Sequence, residues 1–305
     1  MRRPLVLALC LLTVSAVAAA EEDAGTAALP FLRLGIGARA LALGEAYAAD
    51  AAGAEAAVLN PALLASSNRY HVAFTHDEYP VDTAYEFGAF SVPLGAEAGT
   101  VALAIRYLSH GEMTRYDESG APRGTFTAGD AAFGIAYGVR LFGGLSAGVN
   151  LNYLYSRLDD VTANGFAADV GLAYQPLERL RFGFTAANLG PEITYDEHPS
   201  PLPATLRLGA AGEVVNDPRH RVTLLADGVY PLYDEPYGCF GLQYTLYDTA
   251  SLRGGYRLGH DTATFSFGAG VYFYLWESLL LSVDYAYADY GDLEVSHLFS
   301  LNLGF

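Results

Sequence analysis

Residues able to do acid–base, nucleophilic or metal chemistry are sparse in this chain and do not gather in sequence. Seven histidines, His71, His76, His110, His198, His220, His260 and His297, fall near predicted strand ends or turns. There is no His-x-x-x-His pair on a predicted helix and no Gly-x-Ser-x-Gly elbow, so neither a zinc hydrolase nor a hydrolase nucleophile is indicated. A Ser–His–acid triad is recognised by geometry rather than order, and nothing in the sequence calls for one. Gly35-Ile36-Gly37-Ala38-Arg39-Ala40 has the outline of a dinucleotide fingerprint, but no strand precedes it and no βαβ unit surrounds it. The expectation is a protein that is not an enzyme and carries no cofactor.

Carboxylates do cluster, at Asp77, Glu78 and Asp82, at Glu112, Asp117 and Glu118, and at Asp159 and Asp160. Further clusters are Glu192, Asp196 and Glu197, then Asp234 and Glu235, then Asp289, Asp292 and Glu294. Grouped carboxylates suit calcium, yet no segment has EF-hand spacing, so solvated loops are the preferred reading and no metal is assigned. The formal charge is −17 and every base is Arg. That acidity excludes nucleic acid and an anionic lipid surface as partners. Of the two cysteines, Cys10 falls in a predicted leader, which leaves Cys239 without an intramolecular disulfide partner.

A second polar set is placed by a period of two. In Thr262–Leu275 the apolar Phe265, Phe267, Ala269, Val271, Phe273 and Leu275 alternate with Thr264, Ser266, Gly268, Gly270, Tyr272 and Tyr274. Such alternation is a strand with one apolar face. Fourteen candidate strands repeat it: 69–77, 82–93, 99–110, 127–142, 145–158, 164–175, 180–189, 203–214, 220–231, 237–247, 251–259, 262–275, 279–289 and 294–305. Most reach the roughly 9–11 residues that a tilted membrane strand needs. The connections alternate in length. Leu94–Ala98, Gly143–Gly144, Pro176–Arg179, Val215–Arg219, Tyr247–Ala250 and Trp276–Ser278 are short, whereas the two longest, Gly111–Phe126 and Gly190–Leu202, follow odd strands. Gly259–Asp261 fits this alternation least well. Short periplasmic turns and long external loops are the mark of an antiparallel transmembrane barrel, and an all-β, fourteen-stranded one is predicted here.

The apolar register puts Arg106, Asn150, Asn152, Asp169, Arg181, Arg207, Glu213, Asp227, Gln243, Arg253, Arg257, Asp284 and Asn302 on the other face. An Arg facing lipid at mid-depth costs about 2–4 kcal/mol, so these positions are expected to face the lumen. Both signs are present in similar number, which favours a paired framework filling a narrow lumen over an ion-selective pore. The composition agrees, with 52% hydrophobic residues, 22 Tyr and 16 Phe, because lipid replaces water outside the barrel.

Residues 1–20 read as a secretory signal peptide: Arg2 and Arg3, the apolar Leu5–Val14, then Ala18–Ala19–Ala20 before Glu21. Leu9 precedes Cys10 where a lipobox needs a small residue, so no lipid anchor is expected. Residues 21–68 lack strand periodicity and 69–305 form the predicted barrel. Ala38–Ala49, and Ala51–Leu64 broken by Pro61, read as helical turns, with Asn60 capping a turn that accepts Pro61 in its first position. Gly35–Leu64 is apolar and Gly-rich, and the dry place for it is the lumen, as a hatch.

The stretch Gly37-Ala38-Arg39-Ala40-Leu41-Ala42-Leu43-Gly44-Glu45-Ala46-Tyr47-Ala48-Ala49-Asp50, followed by Leu59-Asn60-Pro61-Ala62-Leu63-Leu64-Ala65, resembles the start of the PorV/PorQ family. That family is a branch of the FadL-like outer-membrane proteins. The resemblance implies a fourteen-stranded barrel with an internal hatch, whose motif residues here are Gly37, Ala38, Arg39, Gly44, Tyr47, Asn60, Pro61 and Ala62. The chain departs from the family pattern at Leu63, where Gly is usual, and at Glu45, where a second Gly is expected. The final strand, with Phe299, Leu301, Leu303 and Phe305 on one face, resembles the terminal signal that barrel assembly machinery reads. These likenesses imply a location in the bacterial outer membrane, among its lipid. Functions in the family divide. PorV relatives carry clients in type IX secretion, so binding of a secreted protein or a translocon is the first expectation. FadL relatives pass hydrophobic small molecules such as fatty acids or aromatic compounds, which is the second. A purely structural role is the third.

Overall fold

Period-two alternation commits a chain to a sheet with two unlike faces, and a sheet buried in lipid must close on itself to satisfy its edges. The computed structural model, which describes residues 25–79, 82–95, 97–259, 264–275, 279–290 and 295–305, forms such a closed barrel. The leader 1–20 with Cys10, the turn Trp276–Ser278, most of the Gly259–Asp261 loop, and His260, Asp292 and Glu294 lie outside those residues.

The barrel strands are β1 (His71–Tyr79), β2 (Thr83–Gly95), β3 (Gly99–Ser109), β6 (Ala128–Arg140), β7 (Leu145–Leu158), β8 (Val161–Leu177) and β9 (Leu180–Leu189). They continue as β12 (Thr205–Asn216), β13 (His220–Pro231), β14 (Tyr237–Leu246), β15 (Ala250–Leu258), β16 (Phe265–Leu275), β17 (Leu279–Asp289) and β18 (Val295–Gly304). Each pairs antiparallel with its chain neighbours, and β1 closes on β18 from His71↔Gly304 to Glu78↔His297. These are the fourteen strands the alternation predicts, with ends moved by a few residues. Beyond the seam, Phe305 N donates to Tyr70 O at 3.0 Å and the two rings stack at 5.6 Å.

The two long loops differ from their sequence reading. Each carries a hairpin of its own, β4 (Met113–Tyr116) with β5 (Pro122–Phe126), and β10 (Ile193–Tyr195) with β11 (His198–Ser200). The faces separate as alternation requires: Phe265 and Phe267 are exposed on the outside while Ser266 between them is buried.

Before the barrel the chain runs through short turns: Pro30–Arg33, helix α1 (Ala38–Ala42), Gly53–Glu55, helix α2 (Ala56–Leu59) and Pro61–Ser66. The longer helix expected over Ala38–Ala49 stops early because Gly44 and Glu45 take left-handed φ values of 65° and 62°. Asn60 is extended and its side chain accepts from Ala62 N at 3.1 Å, capping the turn that Pro61 opens. Pro30–Arg33 and Gly53–Glu55 are 3₁₀ turns, which suit a chain that changes direction every few residues.

Candidate functional site

The segment before β1 threads the barrel from end to end. At the long-loop end, Gly25 N donates to Tyr233 O at 3.3 Å, Ala28 N to Pro201 O at 2.8 Å, and Arg33 pairs with Asp234 at 2.8 Å. Helix α1 then packs on β15 to β18, and the turn Pro61–Ser66 packs on the opposite wall of β3, β6, β7 and β8. The chain leaves at the short-turn end, where Arg140 Nε reaches Ala65 O at 3.1 Å. Residues 25–68 are therefore a hatch that crosses the lumen between facing walls.

Close approach demands glycine on the wall. A Cβ on Gly255 would lie 1.9 Å from Gly44 N, and one on Gly148 would lie 2.3 Å from the Pro61 carbonyl carbon. At these two glycines backbone thus rests on backbone.

Around these contacts the lumenal polar residues act as a socket. Asp227 Oδ2 accepts from Tyr47 N and Ala48 N, both at 2.9 Å, and pairs with Arg207 Nη1 at 3.2 Å. Arg207 also donates to Glu45 O at 2.6 Å and lies 4.0 Å over the Tyr47 ring. Arg257 pairs with Glu45 at 3.6 Å. Asp50 is held between Arg39 and Arg181, and Arg39 Nε reaches Gln243 at 3.1 Å. Asn60, fully buried, donates to Ala48 O at 2.6 Å and to Leu172 O of β8 at 3.3 Å.

Of the thirteen residues assigned to the lumen, Arg106, Asn150, Asn152, Asp169, Arg207, Asp227, Gln243, Arg253, Arg257 and Asp284 are buried. Arg181, Glu213 and Asn302 are half-buried. Arg253 and Asp284 pair at 2.6 Å, wall to wall. Arg106 instead reaches Leu32 O at 3.3 Å. Asp169 accepts from Asn150, Asn152 and the backbone N of Asn188, where the β8–β9 ladder shifts register. Of the hatch motif, Gly37 precedes α1, Ala38 N donates to Ser300 Oγ at 2.8 Å, and Ala62 is buried beside Gly148.

The reading of wall charges paired among themselves holds for only some of them. Glu45 and Asp50, which sequence reasoning passed over, supply the partners of Arg257 and Arg181. Their signal was isolated acids in an apolar segment, which are almost never buried without a partner. The wall glycines Gly148 and Gly255 were missed too.

Two cavities lie among the described residues of the lumen. Between hatch and wall, beside Leu32, Leu34, Ile36 and Arg207, the void is about 50 Å³. At the short-turn end lies a vestibule of about 1000 Å³, bounded by Phe142, Gly144 and Asp248 and lined by Arg39, Asp50 and Asp284. Leu41 faces neither, being buried against Ala286, Ala288 and Leu298. Among the described residues no group of three or more His, Cys, Asp and Glu converges as a metal site.

The β4–β5 hairpin is built around Asp117. Its Oδ1 accepts from the Ser119 hydroxyl at 2.6 Å and from Ser119 N and Ala121 N at 3.0 Å, and its Oδ2 accepts from Arg123 at 2.9 Å. Those bonds, first the Ser119 hydroxyl and then Arg123, lower the carboxyl pKa to about 2. Arg115 pairs with Asp159, tying this hairpin to the next loop. Tyr116 stands exposed at its tip.

Among solved structures the fold is similar to the Ralstonia pickettii toluene transporter TbuX, at 15% identity and a TM-score of 0.60 over 88% of this chain and 97% of that one. The Pseudomonas putida toluene transporter TodX matches at 12% identity and 0.61, over 88% and 96%. A Pseudomonas aeruginosa FadL homologue matches at 11% and 0.53, over 88% and 96%. At such identities the likeness is one of fold. No protein with a curated description matches. The family model described as type IX secretion system protein PorV matches residues 17–230. That is well over half of the sequence, and the chain belongs to the PorV family of outer-membrane barrels.

Proposed function

We propose that this barrel is a docking platform of the type IX secretion machinery, which binds a secreted protein client or the translocon through its external loops. The observation that carries this reading is the way the hatch fills the middle of the lumen. Small-molecule sites are about 300–1,000 Å³ and mostly apolar, whereas the void beside the apolar hatch residues Leu32, Leu34 and Ile36 is about 50 Å³, and the vestibule of about 1000 Å³ is lined by the charged Arg39, Asp50 and Asp284. The loops, in contrast, are stiffened by two hairpins and by the Arg115–Asp159 tie. Loops held on a rigid framework are where binding function concentrates.

The second reading is a passive channel for hydrophobic molecules, and the fold shared with toluene transporters favours it. One experiment separates the two. Gly111–Phe126 and Gly190–Leu202 are each replaced by a short Asn-Gly turn, and in a second variant Gly25–Arg39 is deleted. Docking predicts that the loop variant stays in the membrane but loses cross-linking to secretion partners, while the hatch deletion keeps it. Toluene or fatty-acid uptake that survives the loop swap and fails in the hatch deletion would overturn the docking reading. Assembly is proposed to use the outward Phe299 and Leu301 with Phe305 as the signal read by the barrel machinery.

A further inference from the structure

The vestibule at the short-turn end has a feature that the external-loop reading does not use. Five carboxylates line it: Asp50, Glu55, Glu213, Asp248 and Asp284. Four have arginine partners. Asp50 is held by Arg39 and Arg181, Asp248 by Arg221, and Asp284 by Arg253, while Glu213 lies 3.9 Å from Arg181. Glu55 has none among the described residues. Its side chain is 6% exposed, and Oε1 is buried without a hydrogen-bond partner. The carboxylate lies flat over Gly37, where an added Cβ would meet it at 2.6 Å, and the Asn302 amide lies beside it.

The neighbouring cations are already engaged. Arg253 donates to Asp284, Gln243, Ser251 and Tyr272, and Arg39 to Asp50 and Gln243. A hard metal ion needs six or more oxygen ligands, and no group of three or more candidate metal-ligating side chains gathers among the described residues. One free carboxylate beside an amide and neutral hydroxyls fits N–H donors instead.

We propose that Glu55 is the seat of an organic cation, an ammonium or guanidinium group that enters the vestibule from the short-turn, periplasmic end. The cation is either a free amine or a basic side chain of a polypeptide; the carboxylate recognises the same chemistry in both. The vestibule is large enough for either, and its depth keeps the charge-assisted bond away from bulk water, where it counts most.

The test uses the full-length barrel in detergent, titrated calorimetrically with methylguanidinium, with a blocked Ala-Arg-Ala peptide, and with the same peptide carrying citrulline. Saturable binding of methylguanidinium points to a free amine, and binding of the arginine peptide alone points to a polypeptide; the citrulline peptide does not bind. Glu55→Gln weakens binding about tenfold or more, and Glu213→Gln leaves it unchanged. Binding also tightens from pH 5.5 to pH 8, because burial, then Asp284, push the Glu55 carboxyl up to about 7. Arg39 of the hatch, Arg253 of β15, Asp284 of β17 and Asn302 of β18 face this group, His71 of β1 lies beside the neighbouring Gly53, and all are present in every arm. If Glu55→Gln fails to assemble, infrared spectra of the unaltered barrel serve, since the bound cation must remove the protonated-carboxyl band near neutral pH. No binding by either arginine-like probe, equal binding in Glu55→Gln, or an unmoved carboxyl band overturns the proposal.

Discussion

Asp227→Ala tests whether the hatch is held by its socket. In the native barrel one oxygen of Asp227 accepts two hatch amides and pairs with Arg207, whose side chain is 5% exposed. Removing it strips partners from two buried N–H groups, each worth about 1–3 kcal/mol. It also leaves a buried guanidinium without its carboxylate, a loss of about 3–5 kcal/mol for a buried pair. These overlap, and Arg207 keeps Glu45 O and the Tyr47 ring. A net of about 4 kcal/mol is therefore expected, or about a thousandfold in the hatch-opening equilibrium.

The barrel itself should persist, because β13 is held by backbone ladders to β12 and β14. The readout is maleimide labelling of a cysteine at Ala46, which is fully buried in the hatch, in a background with Cys239→Ala. Labelling of the Asp227→Ala barrel should accelerate about a thousandfold, up to the intrinsic thiol rate. Asp234→Ala removes the half-exposed bridge to Arg33 and should change the rate less than about fivefold. Equal rates for the two variants, in barrels that still migrate as folded, would refute the socket.

Three further outcomes follow from named residues. A cysteine at Asp117 or Asp196 should label from outside intact cells and one at Asp217, in a short turn, should not; reversed labelling would invert the barrel. Phe305→Asp should leave the chain in the periplasm by disturbing the Tyr70–Phe305 closure, and normal heat-modifiable migration would show that the closure is dispensable. The Asp117 carboxyl is depressed, so its contribution to hairpin order is present above the ordinary carboxylate range and lost as pH falls through about 2. Amide protection of Ser119 and Ala121 should therefore survive at pH 4 and vanish near pH 2, and Asp117→Asn should remove that dependence.

The barrel was legible because membrane strands obey a local rule: an arginine such as Arg106 or Arg253 fixes which face is inward, and its neighbours follow. The hatch obeys no such rule. Arg207 meets Glu45 across 162 positions, and no window of sequence contains both. Glu45 interrupts a motif where the family pattern has glycine, and its carboxylate is the partner of Arg257. The β4–β5 hairpin is legible in Asp117 and Gly120, which bracket a turn, although a long loop by its length alone does not imply one. The volume left beside apolar hatch residues was not legible: Leu32, Leu34 and Ile36 line a void of only about 50 Å³, and Leu41 is buried against Ala286, Ala288 and Leu298.

Gly148 and Gly255 bear on function as well as packing. Glycine weakens a strand, having no side chain to pack and more freedom to lose. Both glycines lie at inward positions, and each is overlaid by hatch backbone, at Pro61 and at Gly44. Without the hatch these wall positions would face an open lumen with neither side chain nor neighbour. The hatch is thus part of the wall's packing, and moving it aside to pass a solute would uncover both glycines and take Glu45 from Arg257, Asp50 from Arg181, and the Glu45 carbonyl and Tyr47 ring from Arg207 together. Three buried or half-buried cations losing their hatch contacts in one step is a steep cost, steeper than a passive channel recovers from binding a small apolar molecule. A lumen crossed by a hatch, beneath external hairpins of which one is tied to its neighbouring loop by Arg115 and Asp159, suits a docking platform better than a conduit.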